Sequence, residues 1–317
     1  MADLIAWLRE RPYYADQIVE HRRLPGREPA FADTTVESRL AGALADRGVD
    51  RLYRHQAEAI EAVRDGDDVV LATPTASGKS LAYAVPAFER AMDHGGRTLY
   101  LGPQNALIAD QEQSLSSLAR GLGFGSRVSV AQYTGRLSKT EKRDVRDRRP
   151  TVLLSNPDML HYGLLPHAHR LWEWLVGSLE TIVLDEVHEY RGVFGSHVAL
   201  TLRRLRRVCE RFDSDPQFIC CSATIGNPRE HAARVTGKPA EGFRLIDEDT
   251  AGTGPTHWVL WNPPEYADGL DRSGRRRSSH VETKRLFVDL VSRGYQTLVF
   301  TRARQAAERY ATESAET

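Results

Sequence analysis

Lys79 and Ser80 close the run ATPTASGKS (72–80), and Asp185 with Glu186 closes the apolar run TIVLDE (181–186). A lysine and a hydroxyl that follow a glycine and open a helix suit a polyphosphate. Consecutive backbone N–H groups and the helix N-terminus face the phosphate oxygens. Lys79 then carries charge to the β- and γ-phosphates, and Ser80 offers its hydroxyl to Mg²⁺. Thr73, Pro74, Thr75, Ala76, Ser77 and Gly78 make the loop itself, with Gly78 allowing close backbone approach. The loop departs from G-x-x-x-x-G-K-[ST], because Thr73 stands where the first glycine belongs. Two carboxylates at the end of a buried strand are costly without a metal or partner. Asp185 is therefore expected to hold Mg²⁺, and Glu186 to polarise the attacking water as general base. His188 sits just beyond them.

These residues need strands that end together and helices that start there. Candidate strands are 69–72, 98–101, 128–133, 151–155, 181–184 and 218–222. Candidate helices are 80–92, 106–122, 196–212 and 228–236. Continuous apolar strands are those of a parallel sheet buried on both faces. Alternation with helices implies an α/β, doubly wound, mostly parallel domain over 51–245. The phosphate loop, about a hundred residues upstream of the acidic pair, makes it a P-loop NTPase. Residues 1–50 read as a helical, charged leader with a break at LPGREP. Residues 246–280 read as a strand (HWVLWNPP, 257–264) and a basic linker. Residues 281–317 read as helix, strand (297–301) and helix, the start of a second α/β domain.

Composition removes other classes. The 317 residues carry 43 Lys+Arg against 43 Asp+Glu, so a polyanion site has to be a local patch. Cys209, Cys220 and Cys221 lie in apolar stretches and form neither a disulfide framework nor a zinc motif. They read as small core residues. No apolar run approaches the roughly 18 residues of a membrane span, and the N-terminus has no secretory design. A cytoplasmic location and no membrane partner are expected. In RRLRR (203–207), Val198, Leu202, Leu205, Cys209 and Phe212 form a core face. The arginines then lie on a solvated, salt-bridged surface, with a nucleic-acid patch as the other reading. The tryptophans 172, 174, 258 and 261 read as packing residues.

The motif order resembles the superfamily 2 helicases of the DEAD/DEAH-box type. That group uses an A-x-T-G-x-G-K-[ST]-like loop, which accounts for Thr73. Ala76 replaces a glycine there, and an ordinary backbone angle is expected for it. LYRHQAEAI (52–60) is similar to the glutamine motif, with Gln56 implied to read the adenine edge. GPQNALIADQ (102–111), QYTGR (132–136) and SNPDML (155–160) are similar to motif Ia, the threonine-glycine element and motif Ib. CSAT (221–224) is similar to motif III and LVFTRAR (298–304) to motif IV. The strings PDMLHYGLLPH, LDEVHEYRGVFGSHVALTLRRLRR and FICCSATIGNP bring the chain closest to the YprA/MrfA-like, Hrq-related subfamily.

The resemblance implies a RecA-like domain with the opening of a second one. It implies an ATP-dependent helicase or translocase that uses ATP and Mg²⁺ and grips nucleic acid, single-stranded DNA, by its backbone. Gln104, Asn105, Thr134, Gly135, Arg136, Asn156 and Asp158 are the implied nucleic-acid residues. His188, Ser222, Ala223 and Thr224 are implied to couple the two sites. The family's motifs V and VI, with the arginine finger, and the subfamily's cysteine-rich zinc region do not occur before Thr317. His188 then lacks its motif VI partner. ATP binding with poor hydrolysis and no unwinding is expected of a truncated form of this kind. The alternatives are an ATP- and nucleic-acid-binding module completed by a separate chain, or a P-loop ATPase that remodels proteins. DNA repair is implied by the subfamily alone.

Overall fold

Seven runs rich in Val, Ile and Leu form one sheet: β1 (Asp68–Leu71), β2 (Arg97–Leu101), β3 (Val130–Gln132), β4 (Val152–Ser155), β5 (Leu179–Leu184), β6 (Gln217–Cys221) and β7 (Phe243–Ile246). Their order is β7-β1-β6-β5-β2-β4-β3, and each neighbouring pair is parallel. The computed structural model describes residues 2–266 and 276–315.

Both sheet faces are covered, so alternate residues of one strand enter different cores. Val69, Leu71, Tyr100, Val183 and Ile219 pack with helices α1 (Arg54–Arg64), α2 (Lys79–Asp93) and α3 (Asn105–Gly121). Val70, Leu99, Leu101, Ile182 and Phe218 pack on the other face. There they meet helices α5 (Gly192–Glu210) and α6 (Pro228–Thr236) and the Leu160–Trp172 segment. Helix α4 (Lys139–Arg148) joins β3 to β4 and is capped by Ser138, whose hydroxyl accepts from the Glu141 N–H. This is the doubly wound α/β, RecA-like arrangement expected from the sequence.

The described residues divide into two compact units, Glu28–Gly252 and Met1–Arg27 with Thr253–Thr317. In the second unit Ile18–Leu24 pairs antiparallel with Thr256–Trp261. Helix Ser279–Ser292 places Glu282 to accept from the Trp261 indole N–H at 3.1 Å.

Several elements differ from the sequence expectations. The leader holds a helix, Ala2–Arg9, but also the strand Ile18–Leu24. IVEHRRL hides its strand character among charges and earns it only through a distant partner. The expected strand at 297–301 is irregular backbone, with Leu298 and Phe300 exposed. A strand exists only through a ladder, and none forms there among the described residues. Helix α5 begins at Gly192, four residues before the expected start. Gly195 permits this, because a Cβ there would lie 2.2 Å from the Tyr190 carbonyl oxygen. Trp172 is buried as expected, whereas Trp258 is exposed. Of the basic linker expected between 264 and 280, residues 267–275 lie outside those described.

Cys209, Cys220 and Cys221 are buried free thiols, as their apolar surroundings required. No helix among the described residues is long and apolar enough to cross a membrane.

Ile182 is fully buried at the centre of β5. Ile182→Ala is expected to lower the free energy of unfolding by about 2–5 kcal/mol. Urea denaturation followed by circular dichroism checks this, and an unchanged midpoint would contradict the two-faced core.

Candidate functional site

Parallel strands deliver their following loops to one edge, and the register here aligns that edge closely. Leu71 pairs with Cys221, Leu184 with Cys220, Leu101 with Leu184 and with Ser155. Bonds continue past the strand ends. The Ala72 N–H donates to Ile246 O, Ser222 N–H to Leu71 O, Asp185 N–H to Leu101 O, Gly102 N–H to Ser155 O and Tyr133 N–H to Leu154 O. The loops beginning near 72, 102, 133, 156, 185 and 222 therefore leave the sheet at one level. In such sheets ligands bind outside the carboxyl ends of the strands.

The phosphate loop spans 72–78, and α2 starts at Lys79. Pro74, Thr75 and Ala76 are exposed, whereas Thr73 and Ser77 are buried and share a 2.7 Å hydroxyl–hydroxyl bond. Lys79 Nζ donates to Thr73 O at 2.8 Å and Pro74 O at 2.9 Å, which holds its charge inside the loop. Ser80 lies in the first helical turn, where the Leu81 N–H donates to Gly78 O at 3.2 Å. Gly78 has φ +79° and caps the helix. Ala76 has φ +64°, not the ordinary angle expected of it. The loop demands a left-handed residue at that position, and an alanine side chain there costs about 1–2 kcal/mol.

Gln56 is buried beneath this loop. Its Nε2 donates to Gly78 O at 2.9 Å, and its Oε1 accepts from the Tyr53 N–H at 2.9 Å. In this structure its amide braces the loop. The neighbouring His55, not singled out in the sequence, does the same. Its Nε2 lies 2.9 Å from Ser77 O, and its Nδ1 lies 2.7 Å from the Thr250 hydroxyl. Burial lowers the His55 imidazole below its ordinary range, so the neutral ring makes these bonds.

The acidic residues follow β5. Asp185 Oδ1 accepts from the Glu186 N–H, and Oδ2 accepts from the Tyr100 hydroxyl of β2. Tyr100 was also missed in the sequence, because inside an apolar strand it reads as core alone. Glu186 takes a left-handed backbone, φ +49°. Its Oε2 is buried and has no hydrogen-bond donor among the described residues. His188 Nδ1 lies 3.2 Å from that oxygen but already accepts from the Ala223 N–H at 3.2 Å. The imidazole proton then belongs on Nε2, 3.5 Å from Glu189 Oε1. Burial, and next the Asp185 charge, push the Glu186 carboxyl above its ordinary range. A partly desolvated carboxylate with a free oxygen is suited to taking a proton from water.

His188 and Ala223 are thus joined directly. Ser222 is buried, and its hydroxyl donates to Ala223 O at 2.7 Å. Thr224 is exposed. Across β2, Asn156 Nδ2 donates to Asn105 Oδ1 at 2.9 Å, and Asn156 Oδ1 caps a short helix at the Met159 N–H. Gln104, Gly135, Arg136 and Asp158 are exposed nearby in the loops after β2, β3 and β4. Thr134 is buried, and its hydroxyl has no partner among the described residues.

The family model for DEAD/DEAH box helicases matches residues 53–231. The chain is 42% identical over 287 residues to the uncharacterized ATP-dependent helicase YprA of Bacillus subtilis, covering 89% of this chain and 37% of that protein. It is 33% identical over 311 residues to the ATP-dependent helicase HRQ1 of Saccharomyces cerevisiae, covering 96% and 28%. The solved structure of the DUF1998 helicase MrfA bound to DNA and AMPPNP matches with TM-score 0.88 and 38% identity, covering 100% of this chain and 42% of that one. The chain spans less than half the length of these relatives.

Ala76→Gly removes the left-handed strain, partly offset by a freer unfolded chain. A gain of about 1 kcal/mol is expected, read as a higher thermal midpoint. A lower midpoint would refute the strain.

A second expectation concerns pH. A carboxyl raised in the fold contributes its stability below its unfolded pKa and loses it as pH rises through the folded one. Glu186→Gln escapes that loss. Its thermal-midpoint advantage over the parent should be larger at pH 8 than at pH 5, and equal advantages at both would count against the raised carboxyl.

Proposed function

The chain belongs to the DEAD/DEAH box helicase family, and from that premise we propose that it binds ATP with Mg²⁺ and couples hydrolysis to single-stranded DNA. The observation that carries this is the common carboxyl edge. Along it lie, in order, the phosphate loop, the Ser222–Thr224 segment, the acidic pair and the loops of Gln104–Asn105, Asn156–Asp158 and Thr134–Arg136. The names of relatives support the same reading, since MrfA has been solved with DNA and a nucleotide analogue.

In this reading Thr73 to Ser80 cradle the phosphates, and Lys79 releases its loop carbonyls to meet the β/γ-phosphates. Mg²⁺ usually takes one or two protein oxygens and completes its shell with phosphates and water. The hydroxyl of Ser80 and the carboxylate of Asp185 fit that donor set. Bound there, the ion neutralises charge developing on the phosphates. Tyr100 holds Asp185 in place, and Glu186 Oε2 accepts the proton of the attacking water. The His188–Ala223 bond passes the state of the acidic loop to the Ser222–Thr224 segment.

The nucleic-acid residues act on phosphates and sugars. They give affinity and register with little sequence preference. Residues 51–245 form the RecA-like unit of this reading, preceded by a leader over 1–50. Residues 246–280 connect it to 281–317, the opening of a second such unit. A separate chain supplying a second domain, and a cytoplasmic location, belong to the same proposal.

Lys79→Ala should abolish binding of a fluorescent ATP analogue. Glu186→Gln should retain binding and slow single-turnover hydrolysis at least a hundredfold, at the lower end of a positioned base's contribution of about 10²–10⁴. Single-stranded DNA should accelerate hydrolysis by the parent chain. Hydrolysis indifferent to DNA favours a protein-remodelling ATPase, and normal hydrolysis by Glu186→Gln removes the base assignment.

A further inference from the structure

Beyond Asn156 the chain turns through Pro157–Tyr162 and faces α5 across a groove of about 480 Å³. Asp158, Tyr162, Phe194, Leu200, Arg204 and Arg207 are among its lining residues. Tyr162 is 74% exposed, Leu200 65% and Phe194 42%. Large apolar side chains gathered in this way mark an interaction site.

The expected salt-bridged surface over RRLRR is not formed among the described residues. Arg203 donates to Ala199 O and Arg234 O, and Arg206 to Gly237 O, so these two are tied to backbone carbonyls. Arg204 and Arg207 make no ion pair or side-chain hydrogen bond among the described residues. Asp158 is the single carboxylate among the lining residues. The rings of His161 and Tyr162 meet edge to face at 4.5 Å, and His161 Nδ1 is buried without a hydrogen-bond partner among the described residues.

We propose that this groove continues the nucleic-acid path. The strand leaves the Asn105–Asn156 end of the carboxyl edge and runs along α5, with bases stacked on Tyr162 and Phe194 and phosphates against Arg204 and Arg207. The proposal rests on the nucleic-acid reading above and names where the strand goes next. Phe194, His197, Leu200, Arg204 and Arg207 recur at three- and four-residue steps, so they share one helix face. From Phe194 to Arg207 that face runs about 20 Å at a rise of about 1.5 Å per residue. Aromatic faces beside uncompensated arginines match a polymer that alternates flat bases with phosphates. The groove also begins at Asp158, a residue of the candidate nucleic-acid face. An apolar polypeptide would leave both arginines without counter-charges.

The test is fluorescence anisotropy of a labelled oligo-dT, read at several salt concentrations on the whole chain. The variants are Tyr162→Ala, Tyr162→Phe and the double variant Arg204→Gln/Arg207→Gln. All substitute exposed or half-exposed side chains, and ATP-analogue binding and the thermal midpoint should stay unchanged in each. Tyr162→Ala should weaken binding about tenfold through lost stacking, and Tyr162→Phe should restore it. The double variant should flatten the slope of log K against log salt by about 1.4, at about 0.7 for each phosphate contact on a single strand. If the parent chain binds oligo-dT and the variants match its affinity and slope, the groove is not on the path and serves a polypeptide. If the parent chain itself binds no oligo-dT, the nucleic-acid reading fails and takes the groove with it.

Discussion

The hydrogen-bond register of the parallel sheet is the constraint on which the rest depends. The central strands are largely buried on both faces, so few polar side chains find a place along them. They collect where the strands end. Parallel pairing sends the carboxyl ends to one edge, and bonds such as Asp185 N–H to Leu101 O and Ser222 N–H to Leu71 O carry the alignment one residue further. A one-residue slip in any pair would move Asp185, Ser222 or Asn156 off that level and reverse the faces of the whole strand.

Some of the molecule's backbone strain and unsatisfied polarity lies at this same edge. Ala76 and Glu186 both hold left-handed backbone, and Glu186 Oε2 and the Thr134 hydroxyl are buried without partners among the described residues. Such features persist only where surrounding structure over-determines them. Here the two cores, with the His55 and Gln56 braces, supply that support. Atoms left unpaired in a rigid frame are those available to a ligand.

The two sides of the edge are also connected physically. Tyr100 on β2 holds Asp185 on β5, and β2 runs directly into the Gln104–Asn105 loop. His188 accepts from Ala223, which ties the loop after β5 to the loop after β6. These bonds form a contiguous network from the acidic pair to both neighbouring loops.

The places of the lysine and the carboxylate pair just after apolar strands were legible in the sequence, because a local pattern dictates their element. So was the burial of Cys209, Cys220 and Cys221. The strand Ile18–Leu24 was not legible, since its partner lies more than two hundred residues away. The ladder expected at 297–301 was overread for the same reason, because pairing is a property of two segments. Tyr100, His55 and the free arginines of α5 emerged only in three dimensions. Residue type states what a side chain can donate or accept, and the sheet register together with helix packing decides which atoms meet.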